Sequence, residues 1–267
     1  AEAHVSAGRN ALLLGRLGDS ETFLRDGLAW VPASPDATDE GLRMHLILAA
    51  DLGVVLARSG QRAEAKHVLE RARELASARL PGDQGQAILM LHSGRFELGH
   101  DNQAALVSLE QAQRLFAASP ETESTEMSAS RHYLGTVYLE LGRLDEAETQ
   151  LRSAHAMFTQ QYGRTDYDTL AALGSLALAS ARRERYAAAV DLLAKNKNTL
   201  QGKTERKHLA MAAALTGRQL QTAMLAGDLE AAEAALSLLS DPDVSDPTVP
   251  NRHVLPLARI DLSMHRG

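Results

Sequence analysis

A short pattern of residue types recurs about every 42 residues along this chain of 267 residues. Each copy has a turn residue, a small residue five positions later and a leucine nine positions later. The turn residues are Gly15, Gly60, His100, Gly142, Glu184 and Gly227, and Gly267 stands one period further on. Because a fixed period of about 20 to 50 residues is typical of stacked structural repeats, the sequence predicts an array of repeats rather than one globular core.

The residues on both sides of each turn have the spacing of amphipathic helices. In the fourth copy, Leu134, Val137 and Tyr138 precede Gly142 as an apolar stripe at helical positions. The composition agrees, because 45% of the residues are hydrophobic but only 4% are aromatic, and alanine and leucine favour helices over strands. We therefore predict an all-α fold, a right-handed α-solenoid of about six helical hairpins followed by a lone C-terminal helix.

Segments rich in Pro, Gly, Ser and Asp separate the predicted hairpins, as at 32–35 and 241–250. We predict a single domain over residues 1–267. Its predicted repeats cover approximately 1–35, 36–80, 81–120, 121–162, 163–202 and 203–245. The last helix, 251–266, is expected to cap the array with a polar face, and a truncated seventh repeat is the alternative.

Charge and composition exclude several classes of function. A net charge of −6 and an isoelectric point near 5.9 argue against nucleic-acid binding, which usually requires a strongly basic domain. The chain has no cysteine, so it can form neither a disulfide nor a thiolate nucleophile. No apolar run is long enough to span a bilayer, so we expect no direct membrane contact. The compartment stays open, with the cytoplasm as the favoured reading.

No arrangement of residues predicts catalysis, a cofactor or a metal site. Gly202, Lys203 and Thr204 imitate the end of a phosphate-binding loop, but Lys197 stands where the first glycine belongs. The ten histidines are scattered, and no two of them are three or four residues apart, as a metal site on one helical face would require. We therefore predict that this segment is not an enzyme, while an attached catalytic domain stays open.

Two local features favour structural explanations. Trp30, the single tryptophan, is expected to pack against the next helical pair rather than to form an exposed interaction hot spot. Four of the five lysines lie between Lys195 and Lys207, and we expect a solvated loop there. Steering of an acidic partner by this basic cluster is the alternative.

The motif residues resemble the tetratricopeptide repeat family. In the fourth unit they are Leu134, Gly135, Tyr138, Gly142, Leu144, Ala147, Leu151 and Ala154. The second unit repeats the motif, whereas His92 and Ser93 replace the Leu-Gly pair in the third. The long period and the loop at 163–170 resemble the kinesin light chain type of this repeat. Bacterial Ser/Thr kinases and transcriptional activators often carry similar repeats.

This resemblance implies that the first helix of each hairpin lines a concave surface that binds a partner. Placing the groove positions of the family on the first helices gives the candidate residues Asp51, Val54, Arg58, Met90, Glu97, His132, Thr136, Glu140, Leu178, Arg182, Gln221 and Met224. This set mixes small and apolar residues with few charges, which favours a partly apolar segment as the partner. The Lys, Asn and Arg set with which some members of the family bind a terminal carboxylate does not occur here.

We therefore predict a protein-protein interaction scaffold that binds a peptide or a partner protein. The resemblance implies the docking or sensory region of a larger bacterial regulator, such as a Ser/Thr kinase or a transcriptional activator. Two other classes stay open. One is a receptor module gated by a peptide or a small molecule, and the other is a self-assembly module that forms homo-oligomers through its terminal units.

Overall fold

The computed structural model describes residues 2–13, 15–34, 36–118 and 125–199, together with 219, 221–228, 230–232 and 234. Its helices are α1 (Glu2–Leu13), α2 (Leu17–Trp30), α3 (Asp39–Arg58), α4 (Arg62–Arg79), α5 (Gln84–Glu97), α6 (Asn102–Ala118), α7 (Thr125–Glu140), α8 (Leu144–Tyr162), α9 (Tyr167–Arg182) and α10 (Tyr186–Thr199). The described residues contain no strand. The prediction of an all-α helical repeat is confirmed.

The chain forms two compact units, Ala1–Val137 and Tyr138–Gly267. In the first unit α1 packs on α2, α3 on α4 and α5 on α6, and in the second α9 packs on α10. We call the odd-numbered member of each pair its first helix. The predicted cap at 251–266 and most of the sixth predicted hairpin, 203–245, lie outside the described residues. The exact repeat boundaries stay a prediction.

The recurring glycine ends the first helix of a pair with one type of turn. Gly15, Gly60, Gly142 and Gly227 have φ angles between 70° and 82°, in the left-handed region that glycine adopts without steric cost. The N–H of the next residue donates to the carbonyl five residues earlier at 2.8 to 3.0 Å. This hydrogen bond is the Schellman motif, and it satisfies a carbonyl that the helix end leaves free. The turn residue of the sequence pattern is therefore a helix cap.

Glu184 makes the same turn without being glycine. Its φ is 61°, and the N–H of Arg185 donates to the carbonyl of Ser180 at 3.0 Å. A residue with a Cβ pays about 1–2 kcal/mol for the left-handed conformation. The turn geometry therefore overrides the conformational preference of this residue.

The third turn differs from the sequence prediction. The left-handed residue is Gly99, with a φ of 79°, so the assignment of His100 as the turn residue is wrong. Four residues, 98–101, connect α5 to α6, whereas three connect α3 to α4. The N–H of Asp101 donates to the carbonyl of Glu97 at 2.9 Å, which is an ordinary four-residue spacing. The helix α5 ends three residues after Gly94, whereas α3 ends five residues after Gly53, so the longer connection still leaves the contact glycine of α5 one residue closer to its leucine than in the second pair.

The small residue and the leucine of the pattern lie between the two helices of a pair. Ala65 and Ala105 are fully buried, and Leu69 and Leu109 are at most 3% exposed. A Cβ added to Gly53 would come within 2.7 Å of the Leu69 side chain, and one added to Gly94 within 2.4 Å of Leu109. The leucine of the second helix therefore packs directly on the backbone of the first helix.

Trp30 does not pack against the next pair, and that prediction is wrong. Its side chain is 74% exposed, and its ring centroid lies 6.5 Å from that of His4. The buried stripe of α2 runs through Ser20, Leu24 and Gly27. The next position on that stripe is residue 31, so residue 30 points about 100° away from it.

Gly94→Ala should destabilise the protein, because its Cβ would overlap the branched carbon of a fully buried leucine. We expect the free energy of unfolding, measured with urea, to fall by about 1–3 kcal/mol. Gly18→Ala is the matched control, since Gly18 is also helical and nothing lies within 4 Å of its Cβ position. The control should be neutral or more stable by up to about 1 kcal/mol. Equal effects of the two substitutions would contradict this packing.

Glu184→Gly should stabilise the second unit, because glycine adopts the left-handed turn without strain. The gain should be up to about 1 kcal/mol, since the greater freedom of glycine in the unfolded chain offsets part of it. Gly142→Ala, at the equivalent turn, should lower stability by about 1 kcal/mol. Urea unfolding followed by circular dichroism measures both, and a loss of stability in Glu184→Gly would show that the glutamate side chain has another role.

Candidate partner-binding surface

The structure places the predicted groove residues at very different depths. Four of them are buried, namely Asp51, Val54, Met90 and Leu178. Their helices bury side chains on nearly every face, as expected for helices that pack against several neighbours. The others are more accessible: Arg58 and Glu140 are exposed, and Glu97, His132, Thr136, Arg182, Gln221 and Met224 are partly buried. Their role in binding stays a prediction.

Two of the predicted acidic residues are held by arginines at the end of a first helix. In the first unit, Arg62 donates to the carbonyl of Phe96 at 3.1 Å and to Glu97 at 3.2 Å. In the second unit, Arg182 donates to the carbonyl of Leu139 and, at 3.2 Å, to Glu140. A cation at this place satisfies free carbonyls and opposes the negative end of the helix dipole. Both arginines therefore stabilise the ends of these helices.

A buried polar cluster joins the first helices of the first unit. Arg9 on α1 donates through Nε to Oδ2 of Asp51 on α3 at 2.7 Å. The Nε2 atom of His92 on α5 lies 3.5 Å from Oδ1 of the same carboxylate. Asp51 is 4% exposed and His92 is 6% exposed. The Nδ1 atom of His92 is buried and has no hydrogen-bond partner.

Burial determines the protonation of this cluster. It raises the pKa of the Asp51 carboxyl, although the nearby Arg9 opposes the shift. Burial also lowers the pKa of His92 well below its ordinary value, and the positive charges of Arg95 and Arg9 add to the effect. His92 is therefore neutral at physiological pH. The positive charge of Arg95 also lowers the pKa of the Asp51 carboxyl, whereas the negative charge of Glu126 on α7 raises it.

Arg95 extends the row of polar side chains from α5 to α7. Its guanidinium carbon lies 4.7 Å from the centre of the Tyr133 ring, and that ring stacks on His132 with centroids 5.4 Å apart. A cation over an aromatic face is attracted by the ring electrons. No carboxylate in the described residues forms an ion pair with Arg95. We call Arg9, Asp51, His92, Arg95 and Tyr133 the polar row.

The polar row occupies equivalent positions of successive repeats. Asp51 lies two residues before Gly53, and His92 lies two residues before Gly94, the glycines that contact a leucine of the second helix. Arg95 follows Gly94 by one residue. Arg9 follows Gly8, which has the same contact with Leu24. The contact of Arg9 with Asp51 and the contact of Arg95 with Tyr133 therefore join equivalent positions of neighbouring repeats.

His92 and Arg95 are not among the site residues predicted from the sequence. The sequence prediction places Met90 and Glu97 at groove positions instead, two residues before His92 and two residues after Arg95. A signal was present in the sequence, because Gly94 is the only glycine near the expected place on α5, one residue later than the pattern requires.

A second charged surface lies on α8 in the second unit. An open recess of about 580 Å³ is lined by Asp145, Glu148, Arg152, Arg183 and their neighbours. Burial opposes ionisation of Glu148, but hydrogen bonds from Arg185 and Arg152 outweigh it and lower the pKa of this carboxyl. Each arginine in the recess already has a carboxylate partner. The side chains of this recess thus neutralise one another.

The described part of the chain also bears on metal binding and on membrane crossing. Within it, no group of three or more His, Asp or Glu side chains could hold a metal ion. None of the described helices combines the length and apolarity that a bilayer crossing needs. The basic cluster between Lys195 and Lys207 lies outside the residues whose side chains are described.

Comparison with known proteins identifies the repeat. The model of the family described as tetratricopeptide repeat matches residues 125–195. The TPR-like repeats of a kinesin light chain candidate from Podosopora anserina are 22% identical in sequence and have a TM-score of 0.60, covering 72% of this chain and 91% of that one. Residues 125–195 of this chain match the tetratricopeptide repeat.

Two further solved structures share the tetratricopeptide-like fold at lower identity. BtubC (BKLC) from P. vanneervenii is 13% identical with a TM-score of 0.65, covering 89% of this chain and 88% of that one. PilF from Pseudomonas aeruginosa is 16% identical with a TM-score of 0.55, covering 97% of this chain and 96% of that one. At these identities the likeness shows the fold alone. No curated protein matches the sequence.

The buried imidazole of His92 predicts a pH dependence of the stability of this protein. Burial lowers the pKa of His92 in the folded state, so its contribution is present above the unfolded-state pKa of about 6.5 and is lost below it. We expect the free energy of unfolding in urea to fall from pH 7.5 to pH 5.5 by more in the wild type than in His92→Gln. Asp51 has a raised pKa and acts in the opposite direction, but it is present in both proteins. An equal fall would contradict the assignment.

Proposed function

We propose that this chain is a non-catalytic scaffold that binds a peptide or a partner protein on the surface contributed by its first helices. Tetratricopeptide repeats are in general protein-protein interaction modules. We further propose that the chain is the docking or sensory region of a larger bacterial regulator, such as a Ser/Thr kinase or a transcriptional activator. The polar row carries the proposal, because it aligns hydrogen-bonding and charged groups along four successive first helices.

The local chemistry supports binding rather than catalysis. A buried carboxylate whose pKa is raised and a neutral imidazole could in principle form an acid-base pair, but Arg9 already holds the carboxylate. The Nε2 atom of His92 faces the same carboxylate, and no nucleophilic hydroxyl hydrogen-bonds to the ring. A general base must be within hydrogen-bond reach of the proton that it removes. This arrangement supports a structural and recognition role for the cluster.

The open recess also supports docking over a gated small-molecule receptor. Small-molecule sites are usually concave, mostly apolar pockets that bury most of the ligand. The recess on α8 is open, and charged side chains line it. An extended segment that lies across several first helices needs no such enclosure.

Affinity capture from a lysate of the source organism tests this proposal. The bait is the whole chain, and the test variant is Arg58→Glu with Thr136→Glu, two accessible first-helix residues of the first unit. Arg114→Glu is the control, because Arg114 is exposed on the second helix α6 and undergoes the same substitution as Arg58. We expect mass spectrometry to identify proteins that the wild type and the control retain and that the test variant loses at least ten-fold.

Two outcomes would contradict the proposed function. If the test variant retains the same proteins as the wild type, the first-helix surface is not the binding surface. If the chain captures only itself and its mass in sedimentation rises with concentration, the self-assembly reading replaces docking. Circular dichroism of every bait ensures that a loss of binding does not reflect a loss of helix.

A further inference from the structure

Arg95 has a guanidinium that forms neither a hydrogen bond nor an ion pair with a carboxylate in the described part of the fold. Arg9, the other arginine of the polar row, hydrogen-bonds to the carboxylate of Asp51. Arg95 is partly buried and has the Tyr133 ring against one face, but no described carboxylate forms an ion pair with it. A charge that is partly removed from water without a partner is unfavourable. An anionic partner at this place would therefore gain more than at a fully exposed arginine.

The nearest acidic side chains are committed elsewhere. The Asp51 carboxylate attracts Arg95 electrostatically, but it accepts its hydrogen bond from Arg9 and lies beside His92. Glu126 acts on the Asp51 carboxyl, but it stands seven residues before Tyr133 on α7, which is about 10 Å along a helix. Glu97, two residues after Arg95, is paired with Arg62. The donors at the edge of the Arg95 guanidinium therefore stay available to a group from outside the chain.

Two further features define the chemistry of that group. The planar guanidinium presents pairs of N–H donors that match the two oxygens of a carboxylate, and stacking on a tyrosine orients this plane. An Asp or Glu side chain of a peptide segment supplies such a carboxylate.

We propose that Arg95, oriented by Tyr133, binds the Asp or Glu side chain of a peptide segment that lies on the first helices of the first unit. This inference rests on the proposed function, because it assigns the chemistry of the partner at the same surface. It adds one acidic residue to the partly apolar partner segment that the sequence predicts. Arg95 is a specificity-determining residue in this assignment, and Tyr133 is a positioning residue.

Selection from a random 12-residue peptide library displayed on phage tests the assignment and needs no identified partner. The whole chain is the immobilised target. The phage clones that bind to the wild type, to Arg95→Gln and to Arg114→Gln, the matched control, are sequenced and counted. We expect the wild type and the control to enrich peptides with Asp or Glu at one fixed position. Arg95→Gln should lose this enrichment.

Synthetic peptides distinguish the source of the carboxylate. Three versions of a selected peptide are made. The first keeps the acidic residue and has an amidated C-terminus, and the second is also amidated but has Gln or Asn in place of the acidic residue. The third has this neutral residue and a free C-terminal carboxylate. Isothermal titration should show a loss of affinity of about ten-fold or more for the neutral amidated peptide, which the free terminus does not restore. Restoration by the free terminus would overturn the assignment to a side chain.

The failure of this inference differs from the failure of the proposed function. Selected peptides that lack an acidic residue, or that bind Arg95→Gln as tightly as the wild type, would overturn the acidic anchor while peptide docking stands. Selection of no peptide above background would count against both. If Arg95→Gln loses helicity, Arg95→Lys replaces it, because lysine keeps the charge but not the paired donors. That variant should still weaken binding several-fold, and unchanged affinity would overturn the proposed geometry.

Discussion

The contact between a leucine of the second helix and the bare backbone of the first helix determines the geometry of each described pair in the first unit. Gly53 and Gly94 leave no room for a Cβ, so the two helices approach until the leucine side chain touches the backbone. In the first pair, Gly8 has the same contact, and the hydroxyl of Ser20 donates to its carbonyl at 2.7 Å. Once this contact is fixed, the positions one and two turns away on the first helix have defined directions.

The polar row follows from that constraint. Residues at the same distance from the contact glycine recur at the same place on successive first helices, so arginines at one position reach the residues of the next helix. Arg9 reaches Asp51 in one pair of first helices, and Arg95 reaches Tyr133 in another. The repeat therefore produces a line of functional groups from residues that are about 40 positions apart in the sequence.

Helices and most of the turns could be predicted from the sequence, because each depends on local spacing. The period of apolar residues locates α8, and glycine two residues before a helix locates its start. The third unit could not be placed correctly, because Gly94 and Leu109 are one residue closer in sequence than Gly53 and Leu69, which changes the register of α5 without changing the pattern of α6. The burial of Asp51 was also unpredictable, since it depends on α1 and α5, which are distant in the sequence.

The composition of the polar row is not explained by stability. The position that holds Arg9 and Arg95 in two first helices holds Val54 in the helix between them, and Val54 is 6% exposed. An apolar side chain therefore satisfies the packing at this position. A buried ion pair contributes little to stability after its desolvation, and an apolar replacement of similar size is often as stable. Arginine at two of these three equivalent positions thus adds charge and donors that packing does not require, which is the property expected of a surface that recognises another molecule.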